Sequence, residues 1–412
     1  MTDTTAIDPD ALLAEILLTP EGKADPYPSY AAIREHSPAF RTAMGFTVFA
    51  RYDDCQMLLR DPRFGKGEPG PLWEQYGLTE AEWQERFGAF VKQTSSMLGL
   101  DPPDHTRLRR LVAKAFTPKT VAKLLPDIER LTDELLDDCE GVVDVISVLA
   151  LALPMSVIGE MLGVPVSMRA DLQPHIRAAT ATLEFTPTLE QLDAAAIAAK
   201  EIAERFEVLI AERRTNPTDD LLSELVHVEE QGDQLTHQEL ISTIMLLFGA
   251  GFETTTNLIG NGLLALLDHP AELQRLCDDP ELLPTAVEEL LRWDSPVQID
   301  GRKAFEDVEL YGIEVKAGEE VVTLLGAANR DPRAFDDPDR FDVGRSGTHP
   351  MSFGAGIHFC LGAPLARAEG RVVFERLLDR FPVIEPAWGD VRPRYRDSIV
   401  LRGLETLPVH FA

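Results

Sequence analysis

Phe353-Gly354-Ala355-Gly356-Ile357-His358-Phe359-Cys360-Leu361-Gly362-Ala363-Pro364-Leu365-Ala366-Arg367 sets a cysteine between a glycine-bearing turn and the start of a helix. Gly354 and Gly356 permit backbone conformations and close approaches that a side chain would block. Pro364 suits the first turn of a helix, and Leu361, Leu365, Ala368 and Val372 then share one face of it. Backbone N–H groups at such a start favour negative charge and lower the pKa of the Cys360 thiol. A thiolate so placed can be a nucleophile, a zinc ligand or an iron ligand. Zinc needs three or four ligands, and no other cysteine or cluster of histidines is near in sequence. His358 is conceivable as a base for a nucleophile, but two residues along a loop is poor geometry for it. A lone thiolate on iron suits a heme, whose in-plane ligands are already supplied.

Working outward, Thr236-x-x-Glu239 is a capping box. The helix that it opens runs to Asp268, where His269-Pro270 ends it, a span of about 48 Å at 1.5 Å per residue. Ile241 to Ala250 is apolar nearly all round, so this part is expected to be buried. The middle nevertheless reads Ala250-Gly251-Phe252-Glu253-Thr254-Thr255. Gly251 costs about 1 kcal/mol relative to alanine in a helix. Glu253 puts a charge beside a buried stretch, and Thr254 can bond back to a carbonyl four residues earlier and bend the helix. Together they describe a helix opened for a ligand and a chain of waters, although singly they also read as a packed glycine beside a surface acid and alcohol. Glu289 and Arg292 share a face of a helix that stops before Ser295-Pro296. Taken alone they read as a surface ion pair, worth about 0.2–0.5 kcal/mol.

The net charge of −30 over 412 residues disfavours nucleic acid and anionic lipid as partners. From His105 to Lys123 the balance inverts: Arg107, Arg109, Arg110, Lys114, Lys119 and Lys123 occur with no acidic residue. No apolar run approaches the roughly 18–20 residues of a membrane span, and the polar, acidic start lacks the basic leader of a signal peptide. A cytoplasmic location is expected. Cys55, Cys139 and Cys277 are far apart, form no CxxC pair and read as small buried hydrophobes. Residues 40–60 suggest a short hairpin followed by a helix, 65–71 a loop, 61–100 an irregular connection, and 104–280 helices. Residues 307–325 return to strands, with turns at Tyr311-Gly312 and Ala317-Gly318, and 327–357 read as ordered coil. Ser398–Phe411 reads as strand. With no repeat and no flexible linker, the expectation is a single helix-rich domain.

These residues resemble the signature motifs of cytochrome P450 enzymes. The cysteine loop matches the heme-binding signature at Phe353, Gly354, Gly356, His358, Cys360, Gly362 and Ala366. Ala250-Gly251-x-Glu253-Thr254-Thr255 resembles the oxygen-activation motif, and Glu289-x-x-Arg292 the buried helix pair. Pro338-Asp339-Arg340-Phe341 resembles the segment whose arginine completes that pair's network. His105, Arg109 and Arg302 resemble contacts to the heme propionates. The motifs stand in family order across about residues 25–412, with 1–24 as an N-terminal extension.

The resemblance, to soluble bacterial members, implies a mainly α (α+β) fold with small peripheral β-sheets and a long central helix over the heme. It implies a heme-thiolate monooxygenase that hydroxylates or epoxidises a hydrophobic small molecule of the steroid, terpenoid, fatty acid or macrolide class. Its cofactor would be heme b, with Cys360 on the iron and O2 as co-substrate. Phe353, Gly354, Ala250, His105, Arg109, Arg302 and His358 would surround the heme. Glu253 and Thr254 would deliver protons, while Glu289, Arg292 and Arg340 would be structural. Met97, Leu98, Leu246, Leu247, Ala250, Val297, Ile299, Ile399 and Val400 would meet substrate, with Phe87, Phe90 and Phe185 closing the pocket. With no GxGxxG motif for a fused reductase, NAD(P)H would contribute only indirectly, through a ferredoxin or flavodoxin with its reductase. Arg110 and Lys114 would help to dock that carrier.

Overall fold

The computed structural model describes residues 7–67, 72–230 and 235–412, so residues 1–6 and residues 68–71 of the glycine- and proline-rich loop lie outside the described residues. The chain divides into two compact units. One comprises residues up to Lys66, Thr132–Ala150 and Thr254–Ala412; the other comprises Gly67–Leu131 and Leu151–Glu253. No single helix among the described residues is long and apolar enough to cross a membrane.

The first unit is built on a five-stranded sheet. Its order is Ala39–Arg41, Thr47–Phe49, Glu320–Leu324, Ile299–Ala304, Phe64–Gly65. The first two strands form the expected hairpin, turning at Gly45 with φ +94°. Thr47–Phe49 runs parallel to Glu320–Leu324, which pairs antiparallel with Ile299–Ala304, setting Arg302 opposite Val321. Phe49, Leu58, Val315, Val321 and Met351 pack against one another in the core beneath it. The turns at Tyr311-Gly312 and Gly318 are present, with positive φ at all three residues. A second sheet joins Gly141–Asp144, Pro408–Phe411 and Ile384–Pro386. Its first strand falls inside the stretch that reads as helical. Residues 9–24 form two short helices; Leu13 and Ile16 of Pro9–Leu18 are buried.

The second unit is helical. Its departure from expectation is Glu80–Thr94, a 15-residue helix within the stretch that reads as irregular. The signal for it was present: Thr79 and Glu82 form a complete capping box. Trp83 and Phe87, one turn apart, pack on Leu192. Phe87 is therefore held in an aromatic cluster, with Tyr76 stacked on Trp83 at 5.8 Å. The long helix is His237–Asp268, capped as its sequence requires: Thr236 N donates to Glu239 Oε2 (2.8 Å) and Glu239 N to Thr236 Oγ1 (3.3 Å). The boundary between the units falls inside it, after Glu253.

The helix Leu283–Trp293 carries Glu289 and Arg292, and both side chains are fully buried. The surface reading of this pair is overturned. Arg292 Nε and Nη2 each donate to a Glu289 oxygen, at 2.7 and 2.8 Å. Its remaining donors reach the carbonyls of Asn329 (3.0 Å), Pro338 (2.8 Å) and Arg340 (3.4 Å). The expected role of Arg340 is corrected: its side chain is exposed and lies near Asp342, and only its carbonyl joins the network. Arg345 takes the place assigned to it, with Nε 3.1 Å from Glu289 Oε2 and further bonds to the Asp336, Asp337 and Arg340 carbonyls.

Removing Arg345 takes a charge-assisted bond from the buried Glu289 carboxylate, which Arg292 still pairs, and the donors from three carbonyls, whereas truncating an exposed arginine away from special features usually costs under about 0.5 kcal/mol. Urea unfolding is expected to show Arg345→Ala destabilised by about 1.5–3 kcal/mol, with Arg340→Ala within about 0.5 kcal/mol of wild type. Equal losses in the two variants would contradict this arrangement.

Candidate active site

The network around Glu289 leads directly to the cysteine loop. Asn329, whose carbonyl accepts from Arg292, takes the Met351 N–H on Oδ1 (2.6 Å) and donates from Nδ2 to Ser352 Oγ (2.9 Å). Ser352 Oγ in turn donates to the Leu291 carbonyl (2.7 Å). Phe353 is buried just beyond, with the Arg367 guanidinium 4.5 Å over its ring and bonded to Glu288. Gly354 and Gly356 then take φ of +66° and +71°. A Cβ on Gly356 would stand 2.1 Å from the Leu59 carbonyl oxygen, so the loop can seat itself only with glycine there.

Cys360 donates its N–H to the Phe353 carbonyl (2.9 Å) and lies half-exposed just ahead of the helix Ala363–Arg380. Cys55 and Cys139 are buried, and burial pushes the Cys139 thiol up to about 11. Cys277 is exposed, contrary to its expected place in the core.

The strand Ile299–Ala304 runs beside this loop: Asp300 Oδ2 is 4.0 Å from the position of a Cβ on Gly354. Asp300 Oδ1 accepts from Arg302 Nη1 (2.6 Å) and Lys66 Nζ (2.9 Å). Burial alone would raise this carboxyl, but the two cations outweigh it and hold Asp300 well below the usual carboxylate range. Arg302 is buried, and its Nη2 has no hydrogen-bond partner. Next along the chain, Val297 bridges to Leu401 and Gln298 N donates to the Val400 carbonyl (3.1 Å). Val297, Ile299, Ile399 and Val400 thus come together on adjoining segments of the first unit, in which Thr254, Arg302, His358 and Cys360 also lie.

The other expected site residues belong to the second unit. His105 is buried and Arg109 half-buried on the helix Asp104–Val112, whose Arg107 bonds Glu239 at the start of the long helix. Met97 and Leu247 are buried, Leu246 is half-buried and Leu98 is exposed. Along the long helix Ala250 is exposed and Thr254, one turn on, half-buried, so an accessible strip runs through an otherwise buried stretch. Gly251 is packed: a Cβ there would be 2.8 Å from Ile158 Cγ1. Glu253 is buried rather than at the surface, with Arg177 Nε 3.9 Å from its Oε2. Arg177 sits on a helix, Val166–Thr180, that offers no local clue to this contact.

The donor set fits a heme. It offers one thiol at a helix start and a buried arginine nitrogen with no acceptor in the protein. Among the described residues, no group of three or more His, Cys, Asp or Glu is placed to hold a bare metal ion. A family model for cytochrome P450 matches residues 185–408. The chain is 44% identical over 396 residues to cytochrome P450 107B1 of Saccharopolyspora erythraea, covering 93% of this chain and 95% of that one. It is 40% identical over 411 residues to the polyketide biosynthesis cytochrome P450 PksS of Bacillus subtilis, covering 96% and 99%. Among solved structures, CYP164A2 of Mycobacterium smegmatis with econazole bound superimposes with a TM-score of 0.88 at 37% identity, covering 97% and 100%. The fold is that of a heme-thiolate monooxygenase, and the chain belongs to the cytochrome P450 family. The family's cofactor is heme iron, and its reaction consumes O2.

One buried carboxyl near this site stands apart. Glu369, on the cysteine helix, is 1% exposed, its Oε2 has no hydrogen-bond partner, and burial pushes its pKa up to about 8. The folded state therefore holds this proton more tightly than the unfolded state. Glu369 is expected to lower stability as pH rises from about 4.5 through about 8, by up to about 1.4 kcal/mol per pH unit. Glu369→Gln should remove that dependence, so urea unfolding should find the variant gaining on wild type between about pH 5 and about pH 8.5. A constant difference across that range would contradict the assignment.

Proposed function

We propose that residues 25–412 form the catalytic domain of a cytoplasmic monooxygenase that inserts one atom of O2 into a hydrophobic small molecule. The observation that carries this is the cysteine loop, folded by two positive-φ glycines so that Cys360 stands at a helix start, while Asp300, against Gly354 of the same loop, holds the buried Arg302 with its Nη2 left without an acceptor. Cys360 would hold the heme iron. Arg302, His105, Arg109 and His358 would bind the heme carboxylates by charge-assisted hydrogen bonds. Bound there, heme would supply the iron at which O2 is activated, with the thiolate favouring O–O cleavage.

The chain's own residues handle protons and exclude water. Glu253 and the Thr254 hydroxyl are adjacent on the long helix and would hold and hand on protons at the Glu253 carboxyl and Thr254 Oγ1. Arg177, about a third exposed, touches the buried Glu253 carboxylate and would link it to the exterior. The apolar side chains at Met97, Leu246, Leu247, Val297, Ile299 and Ile399 would enclose the substrate without polar anchors. Steroid, terpenoid, fatty acid and macrolide would each suit such an enclosure.

Electrons would come from a separate ferredoxin or flavodoxin with its reductase. Arg110 and Lys114 are exposed and line a cavity of about 440 Å³ together with Leu111, Leu225, Val228 and one acidic residue, Glu224, which the two cations outnumber. Such a surface complements an acidic carrier on a chain that is otherwise strongly negative.

Turnover with a ferredoxin, its reductase, NADPH and ¹⁸O2 over a panel of macrolides and steroids is expected to give product with one labelled oxygen. Unlabelled product, or none from any class, would overturn the reading. Thr254→Ala should keep consuming NADPH while product falls by roughly tenfold or more and hydrogen peroxide rises; full coupling in that variant would remove Thr254 from proton delivery. Reversing the charge of Arg110 and Lys114 together should slow reduction by about tenfold at low ionic strength, with the gap closing as salt is added. Unchanged kinetics would exclude that docking face.

A further inference from the structure

We propose that Asn257 and Asn261 are positioning residues that set where the segment Arg396–Gly403 stands, and through it select which part of a substrate is presented for reaction. The inference rests on the reading that Ile399 and Val400, at the tip of this segment, meet substrate. Both asparagines are 2% exposed and lie on the long helix, three and seven residues beyond Thr254, hence on its stripe.

Asn257 Oδ1 accepts from Arg396 Nη2 (2.6 Å), and Asn261 Nδ2 donates to the Arg402 carbonyl (3.0 Å). The two bonds grip opposite arms of a hairpin. Arg396 N donates to the Gly403 carbonyl (2.9 Å), Tyr395 pairs antiparallel with Leu404, and Leu401 N donates to Ser398 Oγ (3.1 Å). Gly403 is part of the device: a Cβ there would lie 1.9 Å from Asn257 Oδ1, so only glycine lets the hairpin come this close to the helix. The far edge of the hairpin is fixed by Gln298 N to the Val400 carbonyl (3.1 Å) and Arg402 N to the Pro296 carbonyl (2.9 Å).

The position of Ile399 and Val400 is thereby tied to the same helix that carries Thr254. The amides are a costly way to fill a core. Asn257 Nδ2 and Asn261 Oδ1 are buried with no hydrogen-bond partner, a penalty that leucine at either place would avoid. What they supply is register: a directional bond holds the hairpin at one height along the helix, whereas apolar contact would let it slide.

The test uses heme-loaded protein and two iron-binding probes. Imidazole is small enough to ignore the tip; 4-phenylimidazole must pass it. Spectral titration gives the affinity ratio of the two. Asn257→Ala and Gly403→Ala, which release and push away the hairpin respectively, should change that ratio by roughly fivefold or more. Asn257→Asp keeps the acceptor for Arg396 and should restore the wild-type ratio. Hydrogen exchange of residues 396–403 should be faster in Asn257→Ala and normal in Asn257→Asp. Normal imidazole binding with an unchanged ratio in both disruptive variants overturns the proposal, as does a uniform loss of both affinities, which marks general destabilisation. No spectral shift with imidazole in the unsubstituted protein overturns the heme reading, and this inference with it.

Discussion

The ion pair between Glu289 and Arg292 has no contact with water at either end. Desolvating two such charges costs several kcal/mol each, and their mutual attraction does not offset that without further partners. The chain supplies them from one irregular stretch: the carbonyls of Asn329, Pro338 and Arg340 for the guanidinium, and Arg345 and the Asp342 N–H for the carboxylate. This is how a coil with little regular backbone pairing acquires one conformation. Asn329 extends the hold to Met351 and Ser352, and so to the turn from which the cysteine loop departs. The pair contributes little as a source of net stability; its effect is to leave the coil no alternative arrangement that keeps both charges satisfied.

Two carboxyls in the same unit, one half-buried and one fully buried, show how neighbours decide the state of an acid. Asp300 lies between Lys66 and Arg302 and is held ionised, while Glu369 meets no cation and burial pushes its proton affinity up. The first arrangement has a geometric consequence. Asp300, which stands against the glycine turn, occupies Arg302 Nη1 and leaves Nη2 buried and unmatched. An unmatched buried donor is unfavourable in the protein alone, and a carboxylate-bearing cofactor would satisfy it.

The parts of this architecture that were legible in the sequence are those carried by local rules. The long helix announces itself by its capping box and its terminating His269-Pro270, and both ends are where those residues put them. The cysteine loop is legible because glycine, proline and cysteine act through their own backbone and thiol chemistry. The helix Glu80–Thr94 follows the same capping rule, but its polar, glycine-rich surroundings mask it in the sequence. The motif Pro338–Phe341 points to Arg340, whereas the structure sets Arg345, five residues on, against Glu289. The contacts of Lys66 with Asp300 and of Asn257 with Arg396 span 234 and 139 residues. No local pattern encodes such pairings; they exist only after the sheet and the long helix have brought the segments together.

The central claim is that this buried network presents Cys360 as the sulfur ligand of a heme iron. X-ray absorption at the iron edge of the heme-loaded protein tests it most directly. The account predicts a single sulfur scatterer in the first shell of the unsubstituted protein, lost in Cys360→Ser while the rest of the fold persists by circular dichroism. A first shell containing only nitrogen and oxygen in the unsubstituted protein, or a sulfur shell that survives in Cys360→Ser, would contradict it.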